Sequence, residues 1–125
     1  MNTTPVIAVV DDDVSIREAM GQLIRSFDFA VRLYPSGPEL LESQALDEFD
    51  CIVTDIQMPV MTGFALCEAL RSRGIGVPIV FMTAFVKEGY QQRARDFDAA
   101  CFLTKPFQGT DILRCIEHAL RMRRR

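Results

Sequence analysis

The sequence predicts an α/β protein in which one parallel sheet is covered by helices on both faces. Five short apolar runs rich in β-branched residues recur along the chain, and segments with helical spacing of apolar residues separate them. The size of the chain agrees, because 125 residues with 49% in the hydrophobic set suffice for one domain with a substantial core. We therefore expect a single doubly wound domain.

The predicted strands are short, and most of them lack the polar alternation of a half-exposed strand. This pattern is typical of strands that are buried on both faces. They are Val6–Val10, Ala30–Tyr34, Cys51–Thr54, Ile79–Met82 and Cys101–Leu103. A strand followed by a helix, repeated five times, implies parallel strands joined by right-handed crossovers.

The first and the last helix are predicted by apolar residues that share one helical face. The faces consist of Ile16, Met20, Leu23, Ile24 and Phe27 in the first helix, and of Ile112, Leu113, Ile116, Ala119 and Leu120 in the last. Each face should pack against the sheet.

Local signals mark the helices in between. Ser36 and Glu39 form a capping box ahead of the second helix, and Gly63 and Gly74 bracket the third. The helical pattern is weakest in residues 87–97, because few apolar residues share one face of this segment. We expect this fourth helix to pack lightly and to shift easily.

Composition excludes several classes of protein. The charged fraction of 25% and the modest glycine and proline content argue against disorder and low-complexity sequence. No apolar run is long enough to span a bilayer and no signal peptide is evident, so we expect a soluble cytoplasmic protein without membrane contact. The cysteines lie far apart, which favours buried free thiols over a zinc site. They are Cys51, Cys67, Cys101 and Cys115.

The net charge of −3 hides an uneven distribution. Four of the 14 basic residues fall within the last five positions, which leaves 10 against 17 acidic residues in the rest of the chain. An acidic body does not favour nucleic acid. DNA contact would therefore need the basic tail or a further domain.

Polar side chains follow the predicted strands at their carboxyl ends, where the functional crevice of an open α/β sheet lies. They are Asp11, Asp12 and Asp13 after the first strand, Asp55 after the third, Thr83 after the fourth, and Thr104 and Lys105 after the fifth. Crowded carboxylates repel one another and favour a bound cation. Hard oxygen ligands without histidine or cysteine match Mg²⁺.

Each of these residues also has an ordinary structural interpretation. Asp13 is expected to cap the first helix, and Thr83 and Lys105 taken singly could be a strand-end hydroxyl and a surface charge. Asp55 differs, because Pro59 follows it in a loop with no helix to cap. Joint placement at four strand ends favours a functional site.

The chain resembles the receiver domain of bacterial two-component response regulators, most closely the NarL/FixJ type. The motifs are VVDDD at 9–13, TDIQMPVMTG at 54–63, FMTA at 81–84 and LTKPF at 103–107, in the order and spacing of that family. The four motifs are specific together, although none is specific alone. The resemblance implies a flavodoxin-like (CheY-like) (βα)5 fold with strand order 2-1-3-4-5, with residues 1–120 as the domain and 121–125 as a basic tail.

The resemblance also implies the roles of the site residues. Asp55 would accept a phosphoryl group from a histidine kinase as an acyl phosphate. Asp12 directly, Asp11 through water, Asp55 and the backbone carbonyl of Gln57 would hold Mg²⁺ or Mn²⁺. The Lys105 ammonium and the cation would neutralise charge on the transferred group.

A conformational switch is implied as well. Thr83 would move toward the phosphoryl group, and Phe102, three residues before the lysine, would swing into the space that it leaves; a plain core role for Phe102 stays open. The family holds the bond between Lys105 and Pro106 in cis. Phe85 stands where the family often has a polar residue, and our hypothesis is that it hinders the attacking water and slows dephosphorylation.

Alternative functions are weighed against specific residues. A metal-dependent phosphohydrolase needs a second acid two residues after its nucleophile, where this chain has Gln57. A flavodoxin-type cofactor binder would place a phosphate against three aspartates. We therefore expect a signalling domain, not a classical enzyme, that dimerises on activation and regulates transcription through an attached DNA-binding domain; a stand-alone receiver acting by protein contact is the alternative.

Overall fold

The computed structural model describes residues 4–123 and contains one five-stranded parallel sheet. Its strands are β1 (Val6–Val10), β2 (Ala30–Tyr34), β3 (Cys51–Asp55), β4 (Ile79–Thr83) and β5 (Cys101–Thr104), in the order β2-β1-β3-β4-β5. The predicted fold class and strand order are confirmed. Three strands run one residue further than predicted, because parallel pairing continues through Asp55 opposite Met82 and through Thr83 opposite Thr104.

Five α-helices and one short 3-10 turn connect the strands. They are α1 (Val14–Arg25), α2 (Gly37–Leu41), the 3-10 turn Leu46–Glu48, α3 (Gly63–Ser72), α4 (Tyr90–Asp96) and α5 (Gly109–Arg123). Within the described residues, no helix is both long and apolar enough to cross a membrane. Helix α5 includes the first three residues of the predicted basic tail, whereas Arg124 and Arg125 lie outside the described residues.

Two apolar layers enclose the sheet. Buried residues of α1 and α5, such as Met20 and Ile116, pack on one face, and those of α2, α3 and α4, such as Leu40 and Leu70, pack on the other. One residue of the predicted α1 face is misplaced: Ile16 is 37% exposed. It lies in the first turn of α1, ahead of the buried residues of that helix, which begin at Met20.

Side-chain caps begin the first three helices. Asp13 accepts hydrogen bonds from the backbone N–H groups of Ser15 and Ile16, which confirms it as the cap of α1. Ser36 accepts from the N–H of Glu39 at 3.3 Å and caps α2 as predicted. Thr62, which was not predicted, caps α3 through the N–H of Ala65. These caps set where each helix leaves the carboxyl edge of the sheet.

Helix α4 is shorter than the predicted 87–97 segment. Gly89, at φ +87°, precedes it in the left-handed region, where a residue without Cβ is favoured. Ala94 is the one buried residue of the helix, although Tyr90 and Phe97 rest on the ring of Phe64. This limited contact agrees with the expected light packing of α4.

The prediction of four free thiols is wrong for two of them. Cys101 and Cys115 form a disulfide between β5 and α5, whereas Cys51 and Cys67 are free and buried. The two cysteines are 14 positions apart; the chain between them runs from the strand into the helix that packs against it, and this return places the two Cα atoms 5.6 Å apart. Sequence spacing alone does not reveal such a pairing.

Candidate phosphoryl and metal site at the carboxyl edge of the sheet

The carboxyl ends of β1, β3 and β5 bring three carboxylates and an ammonium together. One carboxylate oxygen from each of Asp11, Asp12 and Asp55 lies within 4.8 Å of the others. Lys105 Nζ lies 3.5 Å from Asp11 Oδ2 and 4.0 Å from Asp55 Oδ2. The gathering of charged groups that the strand ends predict is therefore present, with the Lys105 ammonium facing two of the acids.

The loop after β1 presents its three aspartates differently. Asp11 is buried, and its Oδ1 accepts a hydrogen bond from the N–H of Asp13 at 2.9 Å. Asp12 is exposed at the rim, and the Asp13 carboxylate is taken up by the α1 cap. Arg17, one turn into α1, donates to the backbone carbonyl of Asp11 at 2.7 Å. This contact anchors the acidic loop, and nothing in the sequence motif points to it.

Asp55 ends β3 with its two carboxylate oxygens in different environments. Oδ1 accepts a hydrogen bond from the Ile56 N–H at 3.0 Å, whereas Oδ2 faces Lys105. Burial raises the pKa of Asp55 to about 6; the nearby Lys105 lowers it, and the charges of Asp11 and Asp12 raise it further. The carboxylate is thus held in one orientation but its negative charge is disfavoured unless a cation is near.

The loop after Asp55 folds tightly back on the end of β3. The N–H of Gly63 donates to the carbonyl of Ile56 at 2.8 Å. A Cβ at Gly63 would collide with the backbone carbonyl oxygen of Asp55. Glycine is therefore required here by close approach of two backbone segments, and it supports the position of the Asp55 side chain.

Thr83 and Lys105 are linked at the ends of the neighbouring strands β4 and β5. The N–H of Lys105 donates to the carbonyl of Thr83 at 2.8 Å. The Thr83 hydroxyl is fully buried and points into the following loop, where it donates to the carbonyl of Phe85 at 3.1 Å and accepts from its N–H. The bond between Lys105 and Pro106 is cis, as in the family that the motifs resemble.

Phe102 and Gln57 both lie against α4. Phe102 is partly buried in β5 and lines a groove of about 210 Å³ against α4. Gln57 Nε2 donates to the Tyr90 hydroxyl at 3.3 Å, so that its side chain connects the loop after Asp55 to the start of α4. Sequence reasoning missed this contact, because the two residues are 33 positions apart.

The donor set fits Mg²⁺. The three clustered side chains all offer carboxylate oxygens, and no histidine or cysteine belongs to the cluster among the described residues. The one histidine, His118, is exposed on α5. The cluster would be relieved of repulsion by a divalent cation, since one ammonium cannot balance three carboxylates.

We expect the Asp55→Asn protein to be more stable than wild type at pH 7 in the absence of divalent cations. The pKa of Asp55 rises from its ordinary value of 3.8 to about 6 on folding, so folding favours the protonated form. The contribution of Asp55 to the free energy of unfolding is most favourable below about pH 4, and it is lost as the pH rises through 6. The expected difference in the free energy of unfolding at pH 7 is about 1–2 kcal/mol, reduced because the site is partly hydrated.

Urea denaturation of the two proteins at pH 7 and at pH 4 measures this difference. It should shrink toward pH 4, where both side chains are neutral, and on addition of Mg²⁺, which stabilises the carboxylate. Glu88→Gln, at an exposed position, is the matched control. Equal stability of wild type and Asp55→Asn at pH 7 would contradict the expectation.

Comparison with known proteins agrees with this geometry. The family model described as response regulator receiver domain matches residues 7–117. The transcriptional regulatory protein TdiR of Thauera aromatica is 31% identical over 118 residues, which is 94% of this chain and 52% of that protein. The chain spans about half the length of the curated relatives that it matches.

Solved structures show the same architecture. The response regulator StyR has a TM-score of 0.90 and 37% identity, over 98% of this chain and 62% of that chain. The structure titled FixJ-N has a TM-score of 0.85 and 27% identity, over 97% of this chain and 96% of that one. With strand order, acidic cluster and family motifs in agreement, the chain belongs to the response regulator receiver domain family, the phosphorylation-driven signalling domains of two-component systems.

Proposed function

We propose that Asp55 is the phosphoacceptor of this receiver and that a histidine kinase is its phosphoryl donor. The observation that carries the proposal is the arrangement around Asp55: one oxygen is held by a backbone N–H, the other faces an ammonium, and two more carboxylates lie beside it. Such a constellation supplies a fixed nucleophile and charge neutralisation, which are what phosphoryl transfer needs.

The reaction follows from the two oxygens of Asp55. With Oδ1 held by the Ile56 N–H, Oδ2 attacks phosphorus; the bond from phosphorus to the donor histidine nitrogen breaks, and an acyl phosphate remains on Asp55. Lys105 stabilises the negative charge on the transferred group. Asp11, Asp12, Asp55 and the backbone carbonyl of Gln57 would hold Mg²⁺ or Mn²⁺, which supplies further charge neutralisation when bound.

The conformational relay is proposed to begin at Thr83. Its hydroxyl must leave the carbonyl of Phe85 in order to bind a phosphoryl oxygen on Asp55. The loop between β4 and α4 would follow, and Phe102 would turn from the groove into the vacated space. Because α4 buries one residue only, the energy needed to reposition it is small.

Incubation with acetyl phosphate and Mg²⁺, followed by intact mass measurement, tests the phosphoacceptor. Wild type and Glu88→Gln should gain the mass of one phosphoryl group, and Asp55→Asn should gain none. Omission of Mg²⁺ should prevent the gain. Labelling of Asp55→Asn equal to that of wild type would place the phosphoryl group elsewhere and overturn the proposal.

Phe85→Ala is expected to lose its phosphoryl group several-fold faster than wild type. Phe85 is 72% exposed, and its backbone N–H and carbonyl both bond the Thr83 hydroxyl; a large apolar side chain on this loop would hinder the attacking water. Decay of the phosphorylated proteins after removal of acetyl phosphate gives the two rates. Val86→Ala, a neighbouring exposed apolar position, is the control; an unchanged or slower decay in Phe85→Ala would refute the hypothesis.

We further propose that the receiver is the input part of a longer transcription regulator in the cytoplasm. The relatives that it matches are about twice its length, and one carries the name transcriptional regulatory protein. Residues 1–120 would form the receiver and 121–125 the start of a linker, with α5 already extending to Arg123. Activation would promote a homodimer, and DNA would be bound through the output domain.

A stand-alone receiver that acts through protein contact is the alternative. Gel filtration with and without acetyl phosphate tests whether the phosphorylated protein forms the homodimer.

A further inference from the structure

A disulfide joins the last strand to the last helix of the domain. Cys101 is the first residue of β5, and Cys115 lies on the face of α5 that packs against the sheet. Their Cα atoms are 5.6 Å apart, a separation that a disulfide spans without backbone movement. The fold therefore holds these two sulfur atoms ready to pair, whether or not they are bonded at a given time.

The segment that this bond closes contains one residue of the proposed switch and one residue of the proposed phosphoryl site. Phe102 and Lys105 both lie between Cys101 and Cys115. Strand β5 is the edge of the sheet and pairs with β4 alone, so that α5 is otherwise held to it by apolar packing. A covalent link at this point restrains the relative movement of β5 and α5 directly.

Cys101 is accessible to small reagents, unlike the three buried cysteines of the chain. Cys101 is partly exposed and lines the groove between α4 and β5, with Arg95 on the groove wall. Burial raises the pKa of the Cys51 and Cys67 thiols, which keeps them protonated and unreactive. Oxidation should therefore be selective for Cys101.

We propose that Cys101 and Cys115 are a reversible redox site, and that its disulfide form restrains the repositioning of Phe102 in β5 that the proposed relay requires. The second part rests on the proposed function of Asp55. Disulfides in reducing compartments are mostly transient and regulatory, whereas they persist in oxidising ones. The site would thus let the redox state of the surroundings adjust the response of the receiver.

The oxidant is a peroxide, and the reductant is a dithiol. The Cys101 thiolate attacks one oxygen of hydrogen peroxide, the O–O bond breaks, and Cys101 sulfenic acid forms; the hydroxide that leaves takes up the proton that the thiol released and becomes water. The Cys115 thiolate then attacks the Cys101 sulfur, the S–O bond breaks and the disulfide forms; the hydroxide that leaves takes up the proton of the Cys115 thiol and becomes a second water. Two electrons pass from the sulfur atoms to the peroxide, and a dithiol returns two electrons and two protons.

The disulfide should slow phosphorylation of Asp55, because it disfavours the conformation of the phosphorylated state. Phe102 follows Cys101 directly, so a bond that holds Cys101 to α5 opposes the repositioning of Phe102 and disfavours the phosphorylated state. We expect the oxidised protein to be phosphorylated by acetyl phosphate at least about fivefold more slowly than the reduced protein. The comparison uses one chain in two redox states and needs no substitution that could disturb folding.

Thiol counting tests the redox site independently of phosphorylation. After peroxide treatment and denaturation, maleimide should label two of the four cysteines of wild type, and after dithiothreitol it should label all four. Cys67→Ala should still form the disulfide, and Cys101→Ser should not. Four labelled thiols after peroxide, or a bond that dithiothreitol leaves intact in the native protein, would overturn the redox site.

Phosphorylation of the two redox forms tests the restraint. Wild type and Cys67→Ala should show the slower reaction after oxidation, whereas Cys101→Ser should react at one rate in both conditions. Equal rates for oxidised and reduced wild type, or a faster oxidised form, would overturn the restraint. If neither form is phosphorylated, the proposed function of Asp55 fails and the restraint with it, while the thiol count still decides the redox site.

Discussion

Replacement of Lys105 by alanine is expected to slow phosphorylation of Asp55 by about 100-fold, the magnitude typical of removing one preorganised charge from a transition state. Its ammonium faces both Asp11 and Asp55, at 3.5 and 4.0 Å. Without it, the incoming phosphoryl group meets three carboxylates balanced by the metal alone. The rate of mass gain with acetyl phosphate at saturating Mg²⁺ measures the effect.

The chain offers a closely matched control, because Lys87 is its one other lysine and is exposed. Lys87→Ala should be phosphorylated at the wild-type rate. Circular dichroism of both variants separates a chemical effect from loss of the fold. A Lys105→Ala rate within about threefold of wild type would show that the ammonium does not stabilise the transferred group, since charge stabilisation of this kind is worth far more.

Gly63→Ala is expected to lower the free energy of unfolding by about 3 kcal/mol, at the upper end of the usual range for an overpacked site. The added Cβ would collide with the backbone carbonyl oxygen of Asp55 and press on the Cα of Ile56. Neither atom belongs to a flexible side chain, so that β3 or the loop must move. Displacement of Asp55 should slow phosphorylation as well, since transfer depends on alignment.

Gly76→Ala is the matched control, because nothing lies within 4 Å of the Cβ position at Gly76. Its stability should equal that of wild type or slightly exceed it, because alanine reduces the entropy of the unfolded chain. Urea denaturation of the three proteins gives the comparison. If Gly63→Ala were as stable as Gly76→Ala, the close approach of the two backbone segments would not be a constraint on the fold.

Local sequence was sufficient to predict most of the secondary structure. Each predicted strand is present, and the Asp13 and Ser36 caps are where the residue types place them. Capping and burial on both faces of a strand depend on neighbours in the chain or on the general need to exclude water, and such needs are visible in residue type and spacing. The lightly packed α4 was foreseen for the same reason, since its segment has few apolar residues.

The candidate site was predictable in content but not in its contacts. That Asp11, Asp12 and Asp55 gather at one edge follows from parallel strands, whose carboxyl ends meet there. The Arg17 contact with the carbonyl of Asp11 and the hydrogen bond from Gln57 to Tyr90 depend on side-chain orientation across separate elements. No short motif encodes these orientations.

The sequence by itself determined the class of fold, the five strands and the residues at their ends, because periodicity, caps and turn residues act over a few positions. Only the tertiary structure decided that Ile16 lies outside the core and that Cys101 meets Cys115. The physical reason is the same in both cases: burial and pairing depend on which element packs above a residue. That is set by the path of the whole chain around the sheet.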